Sequence, residues 1–476
     1  MATVCTMSTT AFSQTLTHPL SDLWNYHASP GAVTRLTPGF SRISILQEAD
    51  NLKSGKTRMK FPGGIVWEGQ HDPDYFVPLG TAGSAQFSDY CTTRGLGKAM
   101  GWRHIHKFEE GAEPNQSVLR DEITTNAPHI FSAKALSGVW GFRQEQLKQD
   151  LNHLAHARLW AGSTTQSMTV AVTGASGLVG TQLCALLRVA GHKVIRITRS
   201  ATEDDQRQWD PQDPPENLLD GVDAVVHLAG HPIAGRFTDE HIEKVRDSRV
   251  GPTKKLAELA ARTESVHTFV CASAVGFYGH DRPEAVDEQA EYGREGVIGG
   301  VVKQWEDATQ PARDAGLRVT NVRTGLVLAG GSPMLDMLTA SVKVGGGPLG
   351  DGSQHFAWIS LQDLVSIYHR ALIDPLMQGP VNAVAPNIVT NAEFTEVLAD
   401  VGGSPLSKLK IPVPELGPKA LLGERGAEEL ALADQNVVPG ALNRLEHPFR
   451  YPHVRDALLH ELGKNSPSMG EPATDY

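Results

Sequence analysis

From Met168 to Gly180 the chain reads MTVAVTGASGLVG: a short apolar, β-branched run, three regularly spaced glycines, and then a helical pattern. This stretch restricts the fold more than any other. Such a run reads as a buried strand. Gly174 permits backbone angles closed to other residues, and Gly177 lets the main chain approach a pyrophosphate. Gly180 lets the next helix pack closely on the sheet. A helix starting there offers unpaired N–H groups and a partial positive charge. Gly174, Gly177, Gly180 and the helix N-terminus are therefore candidates to cradle the phosphates of a dinucleotide. Glycine spacing alone is a weak signal; its position between strand and helix gives it meaning.

Leu183, Leu186, Leu187 and Ala190 recur at helical spacing, and Gly191 supplies a stop. Residues 192–198 (HKVIRIT) read as a second strand. Where an NAD-selective site places an acidic residue for the ribose 2′-hydroxyl, this chain has Arg196 and Arg199. A guanidinium there suits a 2′-phosphate through charge-assisted contacts, so the expected cofactor is NADP (NADPH). Strand alternation lets only one of the two face the ligand, and Arg199, at the strand end, is better placed. The alternative is that both are solvated surface charges.

Strands and helices alternate from Met168 onward. Residues 223–228, 268–272 and 318–322 read as strands, and 239–250, 253–262 and 301–315 as helices. This alternation implies a parallel, doubly wound sheet. Earlier, residues 13–17, 56–61, 65–71, 83–90, 101–108 and 117–124 read as strands separated by turns, which suggests an antiparallel sheet. A short helix is expected over 22–27 and a long one over 138–159, with Leu147, Leu151, Leu154 and Leu159 as its apolar stripe. Residues 161–167 form a small polar linker, and the tail after Leu462 is expected to fray.

A length of 476 residues allows about three domains. The net charge of −11 and the lack of a basic block argue against nucleic acid as a partner, and no apolar stretch approaches membrane-spanning length. The first residues lack the pattern of a secretion signal. Cys5, Cys91, Cys184 and Cys271 are scattered, with no CxxC pairing. A cytoplasmic, reduced, non-zinc protein with packed thiols is expected. Oligomeric state is not legible.

With these segments in place, residues 168–462 resemble the epimerase-like, atypical branch of the short-chain dehydrogenase/reductase superfamily, often described as nucleoside-diphosphate-sugar epimerase-like. The resemblance is carried by TGASGLVG (173–180), ITRS (197–200), WDP (209–211), HLAG (227–230) and DSRVGPT (247–253). SAVGFYG (273–279), KQWE (303–306), RTGLVL (323–328), GGGPLGDGSQHFAWISLQDL (345–364) and VNAVAPNIVTNAEF (381–394) continue it. The first region is similar to START/polyketide-cyclase-like ligand-binding domains, in which a curved antiparallel sheet wraps a long helix. The expected class is thus α/β: a doubly wound parallel-sheet Rossmann domain (168–410) with a small C-terminal helical domain (411–465). An α+β helix-grip, START-like domain (10–160) and the linker (161–167) precede it.

The resemblance implies that Thr173, Gly174, Ser176, Gly177, Leu178, Val179 and Gly180 hold the pyrophosphate, that Arg199 takes the adenosine phosphate, that Asp210 lies near the adenine and that Leu228, Ala229 and Gly230 line the cofactor. Trp209 and Asp210 read equally well as loop anchors, and His227 reads as a satisfied core histidine. Hydride chemistry in the superfamily uses a serine, a tyrosine and a lysine four residues after the tyrosine, whose charge stabilises a phenolate. Here, alignment through Glu306 puts Ile298 and Val302 at the tyrosine and lysine positions. Lys303 points about 100° away on a helix. Tyr292 stays open as a loop candidate. The resemblance leaves Ser273, Tyr278 and His355 as catalytic candidates, with Arg323 and Trp358 on the substrate side. Tyr278 reads also as a packed ring with its hydroxyl tied to backbone. Residues 345–352 form either a substrate lid or a turn-rich connection.

Two functions are consistent with this pattern. One is an NADP-dependent oxidoreductase or epimerase acting on an unidentified small molecule, with Ser273 for orientation and Tyr278 or His355 as acid/base. The other is a non-catalytic NADP(H) sensor or scaffold. In the first domain, Trp102, His104 and His106 alternate onto one strand face. No third metal ligand is evident, so no metal is expected, and a packed or ligand-facing surface reads better. That domain is expected to capture a hydrophobic small molecule.

Overall fold

Period-two alternation in the first third of the chain resolves into seven antiparallel strands: β1 (Ser8–Leu16), β2 (Ser44–Gln47), β3 (Lys56–Lys60), β4 (Val66–His71), β5 (Ser84–Cys91), β6 (Arg103–Glu110) and β7 (Ser117–Thr125). Their order is β1-β7-β6-β5-β4-β3-β2. The computed structural model describes residues 7–80, 83–127, 132–162 and 167–471. These divide into two compact units, one running to Ala155 and resuming at Leu459, the other His156–Leu458. Most of the expected linker, residues 163–166, lies outside the described residues.

In the first unit, apolar side chains on one sheet face pack against the helix Ala133–Ala161, which is longer than expected. Phe12 stacks on Trp140 with ring centroids 4.8 Å apart, beside Ile123 and Leu136. Leu147 and Leu151 are buried, but Leu159 is 77% exposed and does not belong to the stripe. Trp102, His104 and His106 share a face as expected, with both histidines buried. Asp121 lies against both rings and Asp89 against His104. The apparent lack of further candidate ligands is thereby corrected: the additional carboxylates come from the flanking strands β5 and β7.

The C-terminal segment is also unlike the expectation. Instead of fraying, it returns to the first unit. Ser13 N–H donates to Ser468 O at 3.2 Å, and Gly470 N–H to Ala11 O at 3.0 Å. Two helical glycines admit it. A Cβ at Gly141 would stand 2.0 Å from Asn465 O, and one at Gly138 would stand 2.8 Å from Gly463 O.

The second unit is built on seven parallel strands: β8 (Thr169–Thr173), β9 (Lys193–Thr198), β10 (Gln206–Gln208), β11 (Ala224–His227), β12 (Thr268–Ala274), β13 (Arg318–Thr324) and β14 (Gly379–Ala383). The order is β10-β9-β8-β11-β12-β13-β14, a doubly wound sheet. Both faces are covered, so the strands are continuously apolar rather than alternating. Val170 and Val172 meet the helices Leu178–Val189 and Leu361–Ile373. Ala171, on the opposite face, meets Leu256, Ala257 and Ala260 of Val250–Arg262.

Proline explains two boundary errors. The helices expected over 239–250 and 253–262 are Asp239–Asp247 and Val250–Arg262, because Pro252 occupies a first turn where no N–H is needed. The single helix expected over 301–315 is two, Ile298–Asp307 and Gln310–Asp314, with Pro311 opening the second. Among the described residues no helix is long and apolar enough to cross a membrane.

At an ordinary internal helix position, Gly→Ala stabilises by about 1 kcal/mol. Gly141→Ala is instead expected to displace residues 463–471. Limited proteolysis checks this: the variant should lose its C-terminal residues faster than the wild type, and equal trimming would show that the segment is not held there.

Candidate functional site

β8 ends in the glycine turn, and the turn is where backbone clearance is smallest. Gly174 has φ +67°, and a Cβ on it would lie 2.9 Å from both Ala229 N and Leu228 C. A Cβ on Gly180 would lie 2.2 Å from Gly174 O. Both positions are therefore closed to side chains. Ser176, Gly177 and Leu178 are exposed, and the helix Leu178–Val189 starts without a side-chain cap. Its first N–H groups remain available, as phosphate binding requires. These residues fit a dinucleotide.

Thr173 ties the crevice together. Its Oγ1 accepts from Leu228 N–H at 3.1 Å and Ala229 N–H at 3.2 Å, and lies 2.7 Å from His227 Nδ1. His227 is wholly buried, as the sequence reading expected, although its Nε2 lacks a partner among the described residues. Burial, and then the nearby Arg249 charge, pushes its pKa down to about 4. Leu228 and Ala229 are half-buried and Gly230 is exposed at the strand end.

The two arginines of β9 and the turn after it, Arg196 and Arg199, have different fates. Arg196 is locked to Asp205 at 2.5 Å and Glu203 at 2.8 Å, and Arg188 joins the same Asp205. Arg199 is exposed, and its side chain has no partner among the described residues. It lines a cavity of about 600 Å³ with Gln208, Trp209, Asp210, Pro211, Asp213 and Pro215. Trp209 is buried in the core on the Leu256 face, and the Asp210 carboxylate accepts from Gln212 N–H at 2.8 Å. Both are loop anchors and cavity walls at once.

Sequence reasoning assigned no role to Arg249. It is 7% exposed, its guanidinium lies 4.9 Å above the Trp305 ring, and its Nε has no partner. A Cβ at Gly230 would meet its Cζ at 2.9 Å. A buried cation without a counter-ion among the described residues thus backs the strand end. The DSRVGPT segment carried it, but burial is not visible in a motif.

At the ends of β12 and β13 lies a closed polar network. Ser273 and Arg323 are register partners. Ser273 Oγ donates to Glu306 Oε1 at 2.6 Å, and Arg323 clamps both Glu306 oxygens at 2.8 Å each. Arg323 Nη1 donates to Tyr278 Oη at 2.8 Å, and Tyr278 donates to Asn382 Oδ1 at 2.7 Å. The guanidinium also sits 3.4 Å from the Phe277 ring centroid. Tyr278 is fully buried, and burial pushes its phenol up to about 12 despite Arg323.

Tyr278 and Arg323 bond to each other inside the fold, in line with the packed-ring reading of Tyr278. Trp358 is also buried, its Nε1–H donating to Asn387 O at 3.2 Å. Desolvation of an unpaired arginine would be costly, and Glu306 removes that cost. Ile298 and Val302, at the tyrosine and lysine positions, are core residues beside Tyr278. Lys303 pairs with Asp307 at 2.6 Å, away from them. Tyr292 is packed against Phe277.

His355 differs from the other candidates in being about one-third exposed. Its Nδ1 lies 2.8 Å from Asp434 Oδ1, and its backbone N–H donates to the same oxygen at 2.8 Å. With Nδ1–H donated, Nε2 presents a lone pair. Asp434 N–H in turn donates to His280 O at 2.8 Å, so the pair sits beside the turn after Tyr278. Cys91, Cys184 and Cys271 are buried, and burial pushes the Cys184 thiol up to about 12 and Cys271 also upward, so neither Cys184 nor Cys271 is a reactive thiolate.

Residues 170–382 match the NAD dependent epimerase/dehydratase family, and residues 413–461 match a domain of unknown function, DUF1731. An epimerase family protein of Mycobacterium bovis is 39% identical over 296 residues, which are 61% of this chain and 96% of that protein. The crystal structure of the nucleoside-diphosphate sugar epimerase from Corynebacterium glutamicum is similar with a TM-score of 0.82 and 38% identity, over 97% of this chain and 94% of that one. The structure of human epimerase family protein SDR39U1 (isoform 2) with NADPH is similar with a TM-score of 0.56 and 31% identity, over 63% of this chain and all of that one.

His227 yields a pH prediction. Its folded pKa is depressed, so the unfolded chain binds more protons below about pH 6.5. Stability is full above that pH and falls as pH drops toward 4, by up to about 3 kcal/mol from this group. Urea denaturation of wild type and His227→Gln at pH 7 and pH 4.5 should show a smaller acid loss in the variant.

Proposed function

The chain belongs to the NAD dependent epimerase/dehydratase family, and on that premise we propose that it is an NADPH-binding oxidoreductase or epimerase of small molecules. The observation that carries the NADP preference is Arg199, which has no partner among the described residues and lines the proposed adenosine-side cavity, while Arg196 is held by two carboxylates. Thr173–Gly180 would cradle the pyrophosphate, Arg199 would hold the 2′-phosphate, Asp210 would flank the adenine, and Leu228–Gly230 would line the dinucleotide. The relative solved with NADPH supports this cofactor.

NADPH, when bound, supplies a hydride. The acid/base we assign is His355, because Asp434 fixes its ring and leaves Nε2 able to exchange a proton. Ser273, Glu306, Arg323 and Tyr278 act as a positioning network that holds the ends of β12 and β13. A second reading, cofactor binding without turnover, draws support from the apolar Ile298 and Val302 where proton-moving residues usually stand. For the first unit, the antiparallel sheet and long helix support a START-like unit that captures an apolar ligand.

Three measurements test this. NADPH should bind more tightly than NADH, and Arg199→Ala should weaken NADPH by about tenfold to a hundredfold while sparing NADH. Equal wild-type affinities for the two would end the NADP assignment. NADPH oxidation should then be screened with small carbonyl compounds. A hit should lose about a hundredfold in turnover in His355→Ala but change little in Tyr278→Phe; full activity in His355→Ala would remove that residue from the chemistry. Tight NADPH binding with no oxidation by any compound favours the sensor.

A further inference from the structure

The first unit places four ionisable side chains on one sheet face. Asp89 on β5 stands opposite His104 on β6, and His106 stands opposite Asp121 on β7. His104 and His106 project from the same face because side chains alternate along a strand. One ligand atom each from Asp89, His104 and His106 lies within 4.8 Å of the others. His104 Nε2 lies 3.0 Å from Asp121 Oδ1, which turns its Nδ1 toward Asp89 Oδ2 at 3.7 Å. His106 Nδ1 is 2.7 Å from the same Asp121 oxygen but off the line of a hydrogen bond. Trp140 Nε1–H donates to the other Asp121 oxygen at 3.3 Å.

The surroundings make this arrangement costly without a cation. Phe87 stacks on His106 at 4.2 Å, and Trp140 packs on His104 at 5.5 Å. Among the described residues, neither carboxylate is ion-paired with a lysine or arginine, and the Asp89 carboxylate accepts no hydrogen bond. Protonating both imidazoles would place like charges on rings 3.9 Å apart. A divalent ion balances both carboxylates and uses neutral imidazole lone pairs. His27, 6.1 Å from His106 ring to ring, adds a buried Nε2 with no partner.

We propose that the first unit holds one divalent first-row transition ion through Asp89, His104 and His106, with Asp121 orienting the two rings from behind. Two imidazoles and a carboxylate suit zinc or iron(II) rather than magnesium or calcium. The backing carboxylate is the usual support of such histidines.

The test uses the full chain, stripped with chelator and titrated with Zn²⁺ by calorimetry and with Co²⁺ by visible absorption. One ion per chain is expected, with Co²⁺ bands that Zn²⁺ abolishes. Asp121→Asn should weaken binding by about tenfold to a hundredfold. His104→Gln/His106→Gln should remove the stoichiometric site, with circular dichroism checking the fold. Should that double variant unfold, Asp89→Asn decides, because its partly exposed carboxylate can be neutralised without a change of shape. No stoichiometric binding by wild type, or binding unchanged in Asp89→Asn, overturns the proposal.

Discussion

The second unit depends on a distance that no side chain can enter. At Gly174 the end of β8 lies against the backbone of Leu228 and Ala229, and at Gly180 the following helix lies against the same turn. This contact sets the helix N-terminus beside the ends of β8 and β11. It also fixes where Thr173 can bridge both strands and where a phosphate can meet bare N–H groups. The cavity at Arg199 and the strand-end network lie at the carboxyl ends of the same sheet.

Charge compensation decides which polar residues stay available. Arg196 and Arg199 are three positions apart, yet one is consumed by Asp205 and Glu203 and the other is left in the cavity. Arg323, which resembles a substrate-side residue in its motif, is clamped by Glu306. Arg249 is buried over the Trp305 ring, with no carboxylate partner among the described residues. A guanidinium in a cleft, a guanidinium in an ion pair and a guanidinium over a ring carry different chemistry although the residue is the same.

The parallel sheet and its glycine turn were legible because they rest on local rules: apolar runs, glycine spacing and helical periodicity. Helix boundaries at Pro252 and Pro311 were not, since proline breaks a helix interior yet suits a first turn. The side-chain partner of the Tyr278 hydroxyl and the burial of Trp358 were hidden because they involve Asn382 and Asn387, which lie further along the chain. The same reason concealed the pairing of His355 with Asp434, and of His104 with Asp89 across two strands. The structure supplies the third dimension that an alternating pattern only implies.

The docking of residues beyond Leu459 onto Gly138 and Gly141 has a consequence for biogenesis. About three hundred residues of the other unit separate those glycines from their partners, as the numbering requires. During synthesis the central sheet can mature while still tethered to the ribosome, since domains fold as units in the order they emerge. The amino-terminal sheet cannot reach its final form until residues 459–471 have left the ribosome and can pack against it.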